Sequence, residues 1–393
     1  MKGRKQAEKN SCEPAGENNR KPLIDYILDY IHLNYNQEIK RDQLAKLINV
    51  SGKYLGALFK KETGETIAEY VTALRIRKAK ERLVSTKDRV GEIAEAVGYQ
   101  DEFYFSRVFK QITGKSPMVF IRKPMKIASL WYDYTFDLLA LGIIPEVAMV
   151  DTWGEARRFS RQLGLNGQQQ YCWSRENDKR DRLLENTNLD FIVVNDSNDE
   201  TEVDLWRKRH SVVQIPWEGM NWRTHFQMIA EMVNKRRYAE EWLERYDAKA
   251  DGVRRQVMKI IGQQDTVAIF NIRSDNSFYI YGDDRMGGDV LYRSLKLKPP
   301  KVIANEIIRD GQWPNILPEQ VMKYNADHIF LAVNVGDRAA MVRMKQIMSQ
   351  PTWQSLEAVR NNHIYIVDHR KWYGYSPLCI QTQLNDVQRL LCH

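Results

Sequence analysis

Phe59-Lys60-Lys61-Glu62-Thr63-Gly64 and Phe109-Lys110-Gln111-Ile112-Thr113-Gly114 are one hexapeptide written twice, 50 residues apart and in the same polar and apolar register. The correspondence extends outward from both. Leu55 matches Phe105, Leu58 matches Val108, Thr66 matches Ser116 and Tyr70 matches Phe120 at that offset, whereas upstream Ala45 matches Ala94 at an offset of 49. The second copy thus holds one extra residue, between the regions Ile48-Asn49-Val50 and Val97-Gly98-Tyr99-Gln100, as a tight turn between two short helices allows. Ser51 and Asp101 are N-cap residue types standing where the second helix of each pair begins. The pattern predicts helices over 42–48 and 52–62, then over 90–97 and 102–112, with Gly98 in the left-handed conformation. Between the copies, Thr66 with Glu69 opens a longer helix over 67–84 through a capping box. This is a helix-turn-helix twice over. A helical solenoid is the alternative, but two units fall short of the three or more such arrays need.

Charge indicates what the duplicated region touches. The formal net charge is +8, and all of it lies in residues 1–124, because the remaining residues carry 35 basic and 35 acidic side chains. A basic module joined to a neutral remainder is the electrostatic footprint of nucleic-acid binding. The densest stretch, Arg75-Ile76-Arg77-Lys78-Ala79-Lys80-Glu81-Arg82, is expected to meet phosphates, the alternative being a solvated helix face.

Residues 21–122 resemble the DNA-binding domain of the AraC/XylS family. The resemblance rests on Ile93-Ala94-Glu95-Ala96-Val97-Gly98-Tyr99, Tyr104-Phe105-Ser106-Arg107-Val108-Phe109-Lys110 and Gly114-Lys115-Ser116-Pro117. It implies two recognition helices in successive major-groove turns of double-stranded DNA, and RNA polymerase as a partner. By position Lys53, Gly56 and Ala57 would face bases from the first helix, and Glu102, Phe103, Ser106 and Arg107 from the second. Gly56 and Ala57 depart from the longer polar residues often found there. Arg107 could take a guanine through two donors, whereas Lys53 could equally reach a phosphate.

At 393 residues the chain has room for two or three domains. Residues 1–20 contain no Leu, Ile, Val or Phe, so they read as a disordered tail rather than an export signal. No apolar run is long enough to span a membrane, and Cys12, Cys172, Cys379 and Cys392 show neither CxxC nor His spacing. The expectation is a cytoplasmic protein with reduced thiols, no membrane partner, no resident cofactor and no metal held by side chains.

Arg122-Lys123-Pro124 ends the helical pattern and opens an alternation of strands and helices, which means a parallel-sheet α/β domain over 125–393. Strands are expected at 126–132, 147–151, 191–195 and 212–216 in a first lobe (about 125–221), and at 266–273, 278–281, 328–333 and 363–367 in a second (about 261–393). Helices are expected at 134–142, 288–295, 318–324, 338–348 and 377–391, and one long helix over 222–260 joins the lobes. The fold class is therefore multidomain: an all-α double helix-turn-helix domain (21–124) followed by a two-lobed α/β domain.

That second part resembles the substrate-binding proteins of iron-siderophore and cobalamin importers, on Lys126-Ile127-Ala128-Ser129-Leu130, Asp137 to Pro145, Leu189 to Val194 and Ala326 to Leu331. The combination is similar to AraC-type regulators that activate siderophore-uptake genes. The resemblance implies a ferric siderophore as effector, bound in a cleft between the lobes. Such a ligand already fills the metal's coordination shell. The protein must instead neutralise an often anionic complex with arginine and cover its organic faces with aromatic rings. Loops at the carboxyl ends of the strands supply the candidates. They are Trp153, Arg157, Trp173, Arg175 and Trp217 in the first lobe, and Arg273, Tyr279, Arg285, Trp313, Arg370, Trp372 and Tyr373 in the second, with Arg273 foremost. Tryptophans such as Trp242 and Trp353 on helix faces read as packing. Arg157-Arg158 and Lys235-Arg236-Arg237 read as solvated helix charges.

Other ligands, namely haem, cobalamin or an oligosaccharide, stay open, as does a second domain that only docks proteins. An enzyme explains less: no Gly-rich phosphate loop or GxSxG occurs, and Asp283-Asp284 reads as a turn.

Overall fold

The computed structural model describes residues 20–122, 125–150, 170–172 and 176–392. The chain divides into two compact units, Met1–Lys123 and Pro124–His393.

In the first unit seven helices run α1 (Arg20–Asn34), α2 (Arg41–Leu47), α3 (Gly52–Thr63), α4 (Ile67–Ser85), α5 (Val90–Ala96), α6 (Glu102–Thr113) and α7 (Pro117–Arg122). Local chemistry sets their ends. The Ser51 hydroxyl accepts from Tyr54 N at 3.2 Å, and the Asp101 carboxylate accepts from Tyr104 N at 2.5 Å. Gly64 and Gly114 close α3 and α6 in the left-handed region. Thr66 and Glu69 form the capping box that starts α4.

The basic run on α4 does not face outward as a phosphate-binding stripe. Arg75 donates to the Tyr35 and Gln37 carbonyls at 2.7 and 2.8 Å, and its guanidinium lies 5.4 Å from the Tyr99 ring centroid. Arg77 sits against Tyr70, and burial lowers its pKa. Lys78 pairs with Glu81 at 2.9 Å and Arg82 with Asp88 at 3.0 Å. Arg75 thereby ties the connector to the loop after α1 and to Tyr99 of the second copy, while Arg77 and Lys78 pair within α4. The first copy takes its left-handed turn at Asn49 (φ 53°) and the second at Gly98 (φ 91°). Glycine is required at 98, since a Cβ there would stand 2.7 Å from the Asn36 carbonyl oxygen.

The second unit holds two sheets. Strands β1 (Ile127–Ser129), β2 (Val147–Val150), β3 (Gln170–Cys172), β4 (Phe191–Asn195) and β5 (Val212–Ile215) form a parallel sheet in the order β3-β2-β1-β4-β5. Strands β6 (Val267–Ile272), β7 (Phe278–Ile280), β8 (His328–Val333) and β9 (Ile364–Asp368) form the other, in the order β7-β6-β8-β9. This sheet is not wholly parallel, because β7 runs antiparallel to β6. Five residues separate the two strands, closed by Arg273 N donating to the Ser277 carbonyl at 3.0 Å, and so short a link cannot make a parallel crossover. Helices α8 (Tyr132–Ala140), α9 (Asn177–Asn186), α10 (Glu200–Arg207), α11 (Trp222–Met232), α12 (Arg236–Val257), α13 (Arg338–Met348) and α14 (Pro377–Cys392) complete the main frame.

The single helix expected over 222–260 is two. It breaks at Asn234 (φ 55°), where Lys235 N donates back to the Ala230 carbonyl at 2.7 Å. Asparagine tolerates this conformation better than other side chains do. The break folds α11 and α12 together, so that Trp242 and Tyr246, stacked one turn apart on α12, both meet Trp222 of α11 edge-on. The segment expected as an α-helix at 288–295 is a π-helix at Asp289–Ser294, and Pro318–Tyr324 is a 3-10 helix.

Candidate functional site

The recognition-helix candidates of the first unit lie on α3 and α6. Their inward neighbours Leu55, Phe59, Phe105 and Phe109 are fully buried, which turns the opposite faces to solvent. Lys53 and Ala57 are exposed and Gly56 half-exposed; Glu102, Phe103 and Arg107 are exposed and Ser106 half-exposed. Phe103 is 85% exposed, a large apolar side chain that the interior does not claim. The Arg107 guanidinium rests 5.3 Å from the Tyr104 ring.

In the second unit, Trp217 leaves the end of β5 and meets groups from the other lobe. The Arg285 guanidinium lies 5.1 Å from the Trp217 ring and 5.5 Å from Trp313, so it sits between indoles from the two lobes. Behind it Trp217 stacks on His225 at 4.6 Å and contacts Trp131 edge-on at 5.4 Å. On the second lobe Arg273 lies 5.7 Å from the Tyr279 ring, and Tyr279, Tyr281 and Trp313 continue as a chain of rings 6.2 and 5.4 Å apart. Trp313 donates its indole N–H to Asp284 at 3.0 Å. Tyr373 is exposed beside His369, at 5.5 Å.

Burial dominates the electrostatics around these rings. It pushes Asp133 up to about 6, against the nearby Arg285 charge and a hydrogen bond from Tyr375 N at 2.8 Å, a bond that crosses between lobes. Burial and the Asp133 charge raise Asp137 as well. Burial pulls His225 and His369 down to about 4, and Arg273 adds to the effect on His369. The surroundings therefore favour neutral imidazoles beside the two arginines.

Not every expected residue lies beside these rings. Trp372 is fully buried, packed on Phe330 at 5.3 Å with its indole N–H on Asp386, so it belongs to the core and not to the cleft. Arg370 turns back onto the Asp368 carboxylate at 2.6 Å, which occupies its charge. Trp153, Arg157, Trp173 and Arg175 lie outside the described residues. Three residues outside the expected set stand against these rings: Trp131 and Tyr375 meet Trp217, and Tyr281 meets Trp313. The first strand, expected to reach Tyr132, ends at Ser129 and leaves Trp131 just beyond the strand end. Its buried indole N–H finds no hydrogen-bond partner among the described residues. Asp283, read as a turn residue, pairs with Arg293 at 2.9 Å. Among the described residues no group of three or more His, Cys, Asp or Glu is placed to hold a metal ion.

Residues 44–123 match the helix-turn-helix domain family and residues 183–370 match the periplasmic binding protein family. The chain carries an AraC-type helix-turn-helix domain joined to a periplasmic-binding-protein domain. The HTH-type transcriptional activator Btr of Bacillus subtilis is 28% identical, over 90% of this chain and 65% of that protein. The iron(3+)-hydroxamate-binding protein YxeB of the same organism is 23% identical, over 51% of this chain and 62% of that protein. The chain thus spans a little under two thirds of the length of these curated relatives. The structure of FhuD2 from Staphylococcus aureus with bound ferrioxamine B has the same fold as the second unit, with a TM-score of 0.58 and 20% identity over 68% of this chain and 98% of that one. Btr is named as a transcriptional activator and YxeB as a binding protein. No helix among the described residues is long and apolar enough to cross a membrane.

Proposed function

We propose that this protein is a cytoplasmic transcription regulator in which residues 21–124 bind double-stranded DNA and residues 125–393 sense a ferric siderophore. On this reading the bound siderophore activates iron-siderophore uptake genes through RNA polymerase. One observation carries the ligand half: Arg285 is held between Trp217 and Trp313, which come from opposite lobes, with Arg273 and Tyr279 alongside. Such a surface offers charge and flat apolar faces to a complex that brings its own metal ligands, and asks for no protein atom on the iron. The bonds Btr and YxeB have to activation and to iron(3+)-hydroxamate, in their names, agree with the two halves of this reading.

The test is titration of the full-length protein with ferric siderophores of hydroxamate, catecholate and carboxylate type, followed by tryptophan fluorescence. Quenching is expected for one class, and Arg285→Ala should weaken it by about 1.5–3 kcal/mol, as for a lost charge-assisted interaction. Tight binding of free ferric ion with none of any siderophore would refute the reading. For the DNA half, affinity for duplex DNA should fall steeply with salt, since each neutralised phosphate releases counterions. Salt-independent binding would refute that part.

A further inference from the structure

The two recognition helices differ at the positions that would read bases, and the structure supplies a compensating side chain. The first offers only Gly56 and Ala57 where the second offers Ser106 and Arg107. The space is not empty. A Cβ on Gly56 would stand 3.5 Å from Cδ of Arg41, and one on Gly52 would stand 3.1 Å from Arg41 Nε. The Arg41 side chain therefore leaves α2 and lies along α3, its guanidinium toward the N-terminal end. In helix-turn-helix proteins that end of the recognition helix meets the base edges.

We propose that Arg41, from outside the recognition helix, is the base-reading arginine of the first helix-turn-helix. The inference rests on reading the first unit as DNA-binding. Asp42 Oδ1 accepts from Arg41 Nε at 3.3 Å, and among the described residues Nη1 and Nη2 make no hydrogen bond or ion pair. Two such donors match the O6 and N7 acceptors of guanine. The side chain is 57% exposed, so the fold does not consume it as it consumes Arg75.

The duplication gives an independent argument. In the second copy the Glu102 carboxylate lies over Gly91, with Oε2 2.7 Å from where a Cβ would be. In the first, the Asp42 carboxylate lies over Gly52. Positions 42 and 91 correspond, as do 52 and 102, so acid and glycine have exchanged places between the copies. Arginine has moved with them. Position 57, equivalent to Arg107, is alanine, and position 90, equivalent to Arg41, is valine. Each copy thus brings one arginine to its recognition helix, from opposite partners of the helix pair.

The experiment is selection of preferred sites from a random duplex library by the full-length protein, compared among wild type, Arg41→Ala, Arg41→Lys, Gly52→Ala and Arg107→Ala, with thermal unfolding as a fold check. Wild type is expected to enrich two half-sites about one helical turn apart. Arg41→Ala should lose a guanine preference in one half-site and bind the wild-type site about 5- to 150-fold more weakly, the range of a lost bidentate contact. Arg107→Ala should alter the other half-site. Arg41→Lys should restore the guanine preference only in part, since lysine lacks the rigid two-donor fork. Gly52→Ala keeps the arginine but intrudes on it and on Asp42, and should reproduce the loss without loss of stability. An unchanged motif and affinity in Arg41→Ala would overturn the proposal. So would a loss of affinity in Arg41→Ala with the selected motif unchanged, which would make Arg41 a phosphate contact. Failure of wild type to enrich any site would remove the DNA-binding reading itself, and the proposal with it.

Discussion

Phe59 and Phe109 hold equivalent places in the two helix-turn-helix copies, and both are fully buried. Each meets its partner ring edge-on, Tyr70 at 5.6 Å and 81°, Phe120 at 5.5 Å and 83°. The hydroxyls of Thr63 and Thr113 donate to their carbonyls at 2.7 and 2.8 Å. Outside this shared interior the copies part company. One turns on Asn49 and the other on Gly98; one presents Ala57 and the other Arg107. Packing constrained what faces inward, because a buried ring has few tolerable replacements, while the outward positions were free to take up different tasks.

If the interiors are equivalent, Phe59→Ala and Phe109→Ala should each destabilise the protein by about 3–5 kcal/mol, the range for a large aromatic removed from a core. Urea unfolding followed by far-ultraviolet circular dichroism measures both, and a gap wider than about 1.5 kcal/mol would break the equivalence. The turns should then separate the copies. Gly98→Ala forces a side chain into a left-handed backbone and against the Asn36 carbonyl, and should cost at least about 1–2 kcal/mol. Asn49→Gly, whose φ of 53° suits glycine, should change stability by only a few tenths. Equal effects would mean the turns are interchangeable after all. Smallest is the difference at the caps: Ser51→Ala and Asp101→Ala should each cost about 0.5–2 kcal/mol, and Ser51→Asp should be close to neutral. A large loss in Ser51→Asp would show that the first cap has a further partner.

The sequence carried local features best. Caps, the capping box and the repeat register depend on residues three or four apart, and each is found where those residues stand. Long-range partnerships were hidden. Nothing near Arg75 in the chain announces that its partners are carbonyls 38 and 40 residues away, so a structural clamp looked like a phosphate-binding stripe. The break at Asn234 sits in an otherwise unbroken helical pattern, and a lone asparagine is an ambiguous stop signal. β3 is three residues long with no alternation to reveal it. In the candidate cleft, strand ends pointed to Trp217 and Arg273. Trp372 satisfies the same rule, yet the short helix after β9 turns it into the core, which position along the chain alone does not disclose.

Arg75 ties the loop after α1 to the connector while resting on Tyr99 of the second copy, and Gly98 is pressed against Asn36 of that same loop. The two copies are thereby locked into a ruler of fixed length and fixed angle. A duplex whose half-sites are spaced one base pair too far apart presents the second of them rotated by about 34°, one step of a 10.5-base-pair turn. A rigid ruler cannot follow that rotation, so the DNA must unwind or overwind to meet it. If the copies bind DNA as proposed, occupancy of imperfectly spaced sites would rise and fall with the superhelical tension of the template, and relaxed and supercoiled DNA would rank the same set of sites differently.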